Sequence, residues 1–355
     1  VVESNVVVLF GTGAFATVFG AALAEHTTTP LRLVVVGRDE QKAGRVMADL
    51  PPNRYVVAQA VALSVPSVAA IAELMRSLTP RLVVVCASPQ SPYRPEQYGQ
   101  AWRRLLAETA FGVTAPLQAM LAVPVAEAIR AVGIPETRLV NACYPDLVNP
   151  LLTALGYPVL CGLGNVASLA AGIPPVAGPT VRVLAHHRHL KRLPDGEAEA
   201  RVWVGDQPWP HGVRHIRRLR TLPRRVLNAL GAGDGGRLAA RLLAGADVAT
   251  SLPGVAGMGG YPVRVTLDGC RLDLPADLDL AAARMWQADH ARHEGVLVQA
   301  GQLRFCGATA QRLRALEVIE QDAVPVARWR DIATRLMRLR SAFDVPRGNE
   351  ALGAS

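Results

Sequence analysis

Two stretches of this chain carry residue types whose spacing points to chemistry. Gly11-Thr12-Gly13-Ala14-Phe15-Ala16 follows the apolar run Val6 to Phe10 and leads into Phe15 to Glu25, which has helical spacing. A GxGxxG/A turn between a strand and a helix cradles a dinucleotide. The first glycine makes the tight turn, the second lets the backbone approach a pyrophosphate, and the small third residue lets helix and strand pack closely. The free N–H groups of the helix N-terminus then face the anion. The second stretch is Ala185-His186-His187-Arg188-His189. Histidine gives and recovers a proton near neutrality, which suits a proton donor in catalysis; the plainer reading is that these side chains cap a strand at the surface.

The end of the second strand bears on which dinucleotide is held. An NAD-binding domain carries an acid there for the adenosine ribose, whereas this chain has Gly37 followed by Arg38. Without a carboxylate to repel it, a 2′-phosphate can pair with the guanidinium, so the expected cofactor is NADP. NAD is the alternative, with Arg38 stacked on adenine or turned to solvent and Asp39 on the ribose.

These residues need a scaffold. Apolar runs at 6–10, 31–36, 55–57, 82–86 and 138–142 alternate with helical segments at 15–25, 39–50 and 68–77, and with a long helical region after Pro95 broken by Pro116 and Pro124. Continuous Val/Leu runs are the mark of strands buried on both faces. The predicted fold class is α/β: a doubly wound parallel Rossmann sheet over residues 1–160, then a C-terminal α+β substrate or catalytic domain over 161–345 and a flexible tail over 346–355. Strands are expected at Val181 to Ala185, Ala200 to Val204, Tyr261 to Leu267 and Cys270 to Leu274, the last two forming a hairpin around Asp268-Gly269. Helices are expected near Val213 to Leu230, Gly236 to Ala244, Leu278 to Ala300 and Arg328 to Phe343.

With 355 residues, half of them apolar, two domains with real cores are affordable. The apolar runs are interrupted before they reach membrane-spanning length, and the first strand begins too early for a signal peptide, so no membrane association and a cytoplasmic location are expected. The five cysteines lack paired spacing and read as reduced thiols. The net charge of +9 comes almost entirely from arginine, much of it clustered between Arg182 and Arg241, where the runs Arg217-Arg218-Leu219-Arg220 and Arg224-Arg225 have no aromatics interleaved. That argues against nucleic acid and for a surface that attracts an anionic small molecule.

Over residues 5 to 300 the chain resembles the lactate/malate dehydrogenase superfamily, which includes the NAD-dependent family-4 glycosidases. The resemblance is carried by ordered patches: Gly44 to Leu50 (GRVMADL), Val83 to Pro92 (VVVCASPQSP), Leu139 to Leu152 (LVNACYPDLVNPLL), Gly162 to Ser168 (GLGNVAS), and Gly260-Tyr261-Pro262-Val263 through Leu274-Pro275. It implies a dehydrogenase in which His187, with His189 second, donates the proton to a substrate carbonyl while hydride arrives from the nicotinamide. It also places Ala87, Ser88 and Asn141 beside the cofactor, Asn141 within reach of the substrate, and Arg94 on the loop that polarises the carbonyl. Asp146 could partner a histidine or cap a helix. Relatives commonly pair, which implies a homo-oligomer, dimer or tetramer.

The departures are specific. Where such dehydrogenases carry the aspartate that orients the histidine and the arginine that clamps the substrate carboxylate, this chain has Ala167 and Ala170. A substrate other than lactate or malate is expected, a ketone or imine of a specialised biosynthetic compound. The glycosidase branch is the competing enzyme reading, but its metal-binding cysteine falls at Gly164, and no metal is assigned. A protein that binds NADP without catalysis is the third reading.

Overall fold

The computed structural model describes residues 5–344 apart from 65, 91–96, 177 and 179. Arg94 and the predicted tail therefore lie outside the described residues. The first half runs β1 (Asn5–Phe10), α1 (Ala14–His26), β2 (Leu31–Gly37), α2 (Glu40–Ala48), β3 (Val56–Ala62), α3 (Val68–Leu78), β4 (Leu82–Val85), α4 (Gln100–Glu108), α5 (Ala115–Val132), β5 (Arg138–Asn141), α6 (Pro145–Ala154) and β6 (Cys161–Gly162). Its six strands are parallel, in the order β3-β2-β1-β4-β5-β6. The order reverses between β1 and β4, which opens a crevice at the carboxyl ends of those strands.

The two-residue period of a strand splits the central side chains between two cores. Val8, Phe10, Val34, Val83 and Val85 face one cluster with α3 and α5, while Val7, Leu9, Leu33, Val35 and Val84 face the other with α1. Helix α5 runs through Pro124 without ending, and Pro116 sits in its first turn, so neither proline breaks it. Residues Phe111–Val132 are long and apolar enough to cross a membrane, yet most of that stretch is buried inside the fold.

The second half runs α7 (Val166–Ala171), β7 (Val181–Leu184), β8 (Arg201–Val204), β9 (Gln207–Pro208), α8 (Pro210–Leu219), α9 (Arg224–Leu243), β10 (Val248–Pro253), β11 (Gly260–Val265), β12 (Cys270–Leu272), α10 (Leu280–His293), β13 (Val296–Gln299), β14 (Gln302–Phe305), α11 (Gly307–Ala315), β15 (Ala323–Pro325) and α12 (Trp329–Asp344). Three small antiparallel sheets are built from these strands, and β11 and β12 pair across the predicted Asp268-Gly269 hairpin. Two helix limits differ from expectation. The break falls at Pro223, between α8 and α9, and α9 continues through Gly231 to Gly236. The helix expected near Leu278 to Ala300 stops at His293, because Gly295 takes a left-handed φ of +85° and turns the chain into β13.

Helix α9 lies along α1. A Cβ on Gly236 would sit 2.4 Å from the Phe19 carbonyl oxygen and 2.8 Å from the Leu23 nitrogen, so this glycine sets how closely the two backbones approach. The C-terminal segment folds back onto the first half: Leu303, Phe305, Leu313, Ile332 and Leu336 share one core with Trp102 and Leu117 of α4 and α5.

Candidate active site

The glycine turn sits at the crevice. Gly11 has φ +146°, and a Cβ there would lie 2.6 Å from Cys86 Sγ, so both conformation and space demand glycine. Gly13 is a different case. Its backbone is extended at φ −91°, and an added Cβ would meet no protein atom within 4 Å. Nothing in the fold requires glycine at 13, whereas an anion seated there would. Gly13 and Ala14 are exposed, and no side chain caps α1, whose first N–H groups are left for a ligand. A dinucleotide pyrophosphate therefore fits this cradle.

At the end of β2, a Cβ on Gly37 would come within 2.5 Å of Thr12 Cγ2, which explains the missing acid in steric terms. Asp39 cannot easily replace it: its carboxylate caps α2, accepting from the N–H groups of Gln41 at 2.9 Å and Lys42 at 3.3 Å. Arg38 is exposed and has no hydrogen-bond or ion-pair partner among the described residues. Ala87 and Ser88 follow β4, with Ala87 beside Gly11 and the Ser88 hydroxyl donating to the Gln90 carbonyl at 2.9 Å.

The predicted polar residues of the β5–α6 turn are committed inside the chain. Asn141 is fully buried, and its amide donates to the Cys143 carbonyl at 3.1 Å and Asn149 Oδ1 at 2.9 Å, while its Oδ1 accepts from Cys143 N–H at 2.9 Å. Asp146, in the first turn of α6, accepts from the backbone N–H of His187 at 3.1 Å and from the side chain of Asn165. Burial raises its pKa, opposed by His187 and Asn165. The carboxylate thus ties the histidine turn to the loop at Gly164-Asn165, where Asn165 takes the rare conformation φ 49°, ψ −111°.

His187 opens a single 3-10 turn after β7. Its Nδ1 lies 3.1 Å from Glu294 Oε2, and its Nε2 lies 3.3 Å from a terminal nitrogen of Arg224, the first residue of α9. A guanidinium only donates, so Nε2 is the acceptor, and Nδ1 carries the proton given to Glu294. Phe111 stacks on the imidazole at 4.6 Å between centroids, and the Tyr144 ring meets its edge at 5.1 Å. Glu294 caps α10 and is almost wholly buried. Burial works against its ionisation, but His187, the hydrogen bond to it, Lys191 at 3.3 Å and His186 outweigh that and hold the carboxyl well below its ordinary range. Glu294 is itself clamped: Gly112 N–H donates to its carbonyl at 2.8 Å.

His189 has another environment. Its Nδ1 accepts from His186 N–H at 2.9 Å, its Nε2 donates to the Ala198 carbonyl at 3.2 Å, and the ring stacks on Trp286. Burial lowers its pKa to about 4. Among the described residues no three His, Cys, Asp or Glu side chains are arranged to hold a metal ion.

The structure thus brings His187 and Asp146 together and adds three residues that the sequence reading did not single out: Glu294, Arg224 and Tyr144. A cleft is lined by Phe15 of the glycine turn, Ala142, Gly164, Asn165, Arg224 and Asn228, and Arg224 in turn reaches His187. The arrangement can exchange a proton through His187 and bind an oxyanion through Arg224.

No known protein-family profile matches the chain, and no curated protein matches it. Solved structures do. The apo malate dehydrogenase of Picrophilus torridus superposes with a TM-score of 0.54 at 13 % identity, over 82 % of this chain and 96 % of that one. The lactate dehydrogenase of Cryptosporidium parvum, complexed with lactic acid and nicotinamide adenine dinucleotide, gives 0.51 at 15 % identity, over 83 % and 96 %. The lactate dehydrogenase of Eimeria maxima, with NADH and oxamate, gives 0.51 at 13 % identity, over 83 % and 95 %. The chain therefore has the lactate/malate dehydrogenase fold, as its sequence patches imply.

Proposed function

We propose that this chain is an NAD(P)-dependent oxidoreductase that reduces a ketone or imine on an anionic small molecule, with NADPH as the preferred donor and His187 as the proton donor. The observation that carries this reading is the His187–Glu294 pair, at 3.1 Å; the other ring nitrogen of His187 meets Arg224, a residue that lines a cleft together with Phe15 of the glycine turn. Support for NADPH comes from the space that Thr12 denies an acid at position 37 and from the unpartnered Arg38.

When bound, NADPH supplies the hydride to the carbonyl carbon. His187 supplies the proton to the carbonyl oxygen from Nε2, which completes the alcohol. Glu294 keeps its bond to Nδ1–H throughout, fixing the tautomer and stabilising the imidazolium. It comes from α10, and so fills from another element the role vacant at Ala167. Asp146 holds the backbone of His187, and Phe111 excludes water from one face of the ring. We assign His189 to support of the turn rather than to proton transfer, since backbone groups engage both its nitrogens.

The test is NADPH oxidation against a panel of carbonyl compounds by wild type and His187→Gln. Carbonyl-dependent oxidation that drops in the variant is the expected result; equal turnover in both proteins contradicts the assignment.

A further inference from the structure

Arg224 occupies the one nitrogen that proton transfer needs. Its guanidinium reaches His187 Nε2 at 3.3 Å and the Leu190 carbonyl at 3.5 Å, while the residue also lines the cleft. Two N–H donors cannot share one hydrogen bond, so a protonated Nε2 and a guanidinium in this position are incompatible. Among the described residues the other groups around the ring are engaged elsewhere: Glu294 takes Nδ1, Lys191 pairs with Glu294, Asp146 takes the backbone N–H, and the Phe111 and Tyr144 rings pack on the imidazole.

We propose that Arg224 is a specificity-determining gate: it caps His187 Nε2 in the empty site, and an oxyanion on the substrate draws it away and uncaps the histidine, whose Nε2 then takes a proton from solvent and holds it for the carbonyl oxygen. This rests on the oxidoreductase reading and goes beyond it by tying recognition of the anion to release of the proton donor. A carboxylate satisfies the guanidinium fork with two parallel bonds, which the single imidazole nitrogen does not. Arg224 begins α9 just after Pro223, so its side chain swings from a fixed helix end. A neutral carbonyl compound offers nothing to exchange for the imidazole, and the cap stays on. Asn228, one turn along α9 and on the same cleft, lies where it can take a second substrate oxygen.

The experiment is nitrogen NMR of the full chain labelled at histidine, with His187→Gln assigning the resonance, titrated with oxamate and with its neutral analogue oxamide. Oxamate is expected to move the wild-type Nε2 signal upfield, toward that of a protonated imidazole nitrogen, as Arg224 leaves and Nε2 takes up a proton, and oxamide is not. Arg224→Gln is expected to start upfield of wild type and to ignore both probes. Equal responses to the two probes, no response to oxamate, or an Arg224→Gln signal at the wild-type position overturns the gate. The wild-type arm needs no variant to fold. Failure of the broader reading looks different: NADPH is not oxidised with any carbonyl compound, whatever the nitrogen signal does.

Discussion

His187, Glu294 and Arg224 form a chain of contacts in which each member decides the state of the next. Replacing His187 by Gln removes the proposed proton donor and is expected to lower kcat roughly 10²–10⁴-fold, with NADPH affinity unchanged, as steady-state kinetics and a binding titration will show. Glu294→Gln keeps the shape but loses the charge that steadies the imidazolium. A fall in kcat of about 10²-fold or more, with KM little changed, is expected; unaltered kcat would remove Glu294 from the mechanism. Of these residues only His187 was legible in the sequence, because its neighbours in the chain are histidines and its place after a strand is local information. Glu294 is 107 positions away. Its local setting, a helix-ending Glu-Gly, is that of many ordinary helix ends, and only the packing of α10 against the 3-10 turn at Phe111 makes it a partner. Arg224 was hidden for another reason: it stands in an arginine-rich stretch where charge alone does not separate a site residue from a solvated face. The amide of Asn141, which the sequence aimed at a ligand, bonds to the Cys143 carbonyl and to Asn149, since a buried amide must satisfy its own hydrogen bonds within reach.

At the scale of elements, the βαβ units were readable because buried parallel strands are continuous apolar runs and the glycine turn fixes where the first helix begins. The α8–α9 region was less so. Arginines and small residues dominate both helices, and the periodicity did not separate a break at Pro223 from one at the glycines further on. Packing resolves it: the helix runs through the glycines, and at Gly236 α1 comes too close for a larger residue, while a Cβ on Gly231 would meet Ser168 of α7. Gly236→Val should therefore force α9 off α1 and lower the unfolding free energy by about 1–3 kcal/mol or more, read as a lower denaturant midpoint at unchanged slope. Since α9 also carries Arg224, the same variant is expected to weaken turnover in the fraction that remains folded.

Across the whole molecule, the C-terminal segment that had no functional reading in the sequence covers α4 and α5 and, through Cys306 N–H donating to the Gly295 carbonyl at 2.9 Å, helps fix the end of α10 that presents Glu294. The buried aromatic cluster beside it sets a pH limit. Burial lowers His189 and His290 to about 4, against 6.5 in the unfolded chain. Between those values the unfolded state binds more protons, so stability is complete above pH 6.5 and falls as pH drops toward 4. The loss is on the order of 3 kcal/mol per histidine by pH 4, and urea midpoints measured across this range will show it; a flat profile would mean that these imidazoles are charged or solvated in the fold.

The proposed dinucleotide lies at the glycine turn, and Gly13 tests its presence most cleanly because the protein itself has open space where a side chain would go. The measurement is a fluorescence titration of NADPH with wild type and Gly13→Val. Saturable enhancement with wild type and at least about tenfold weaker binding by an equally stable Gly13→Val, a difference of about 1.4 kcal/mol, is the predicted result. No fluorescence change with wild type, or equal affinity in the variant, would contradict it.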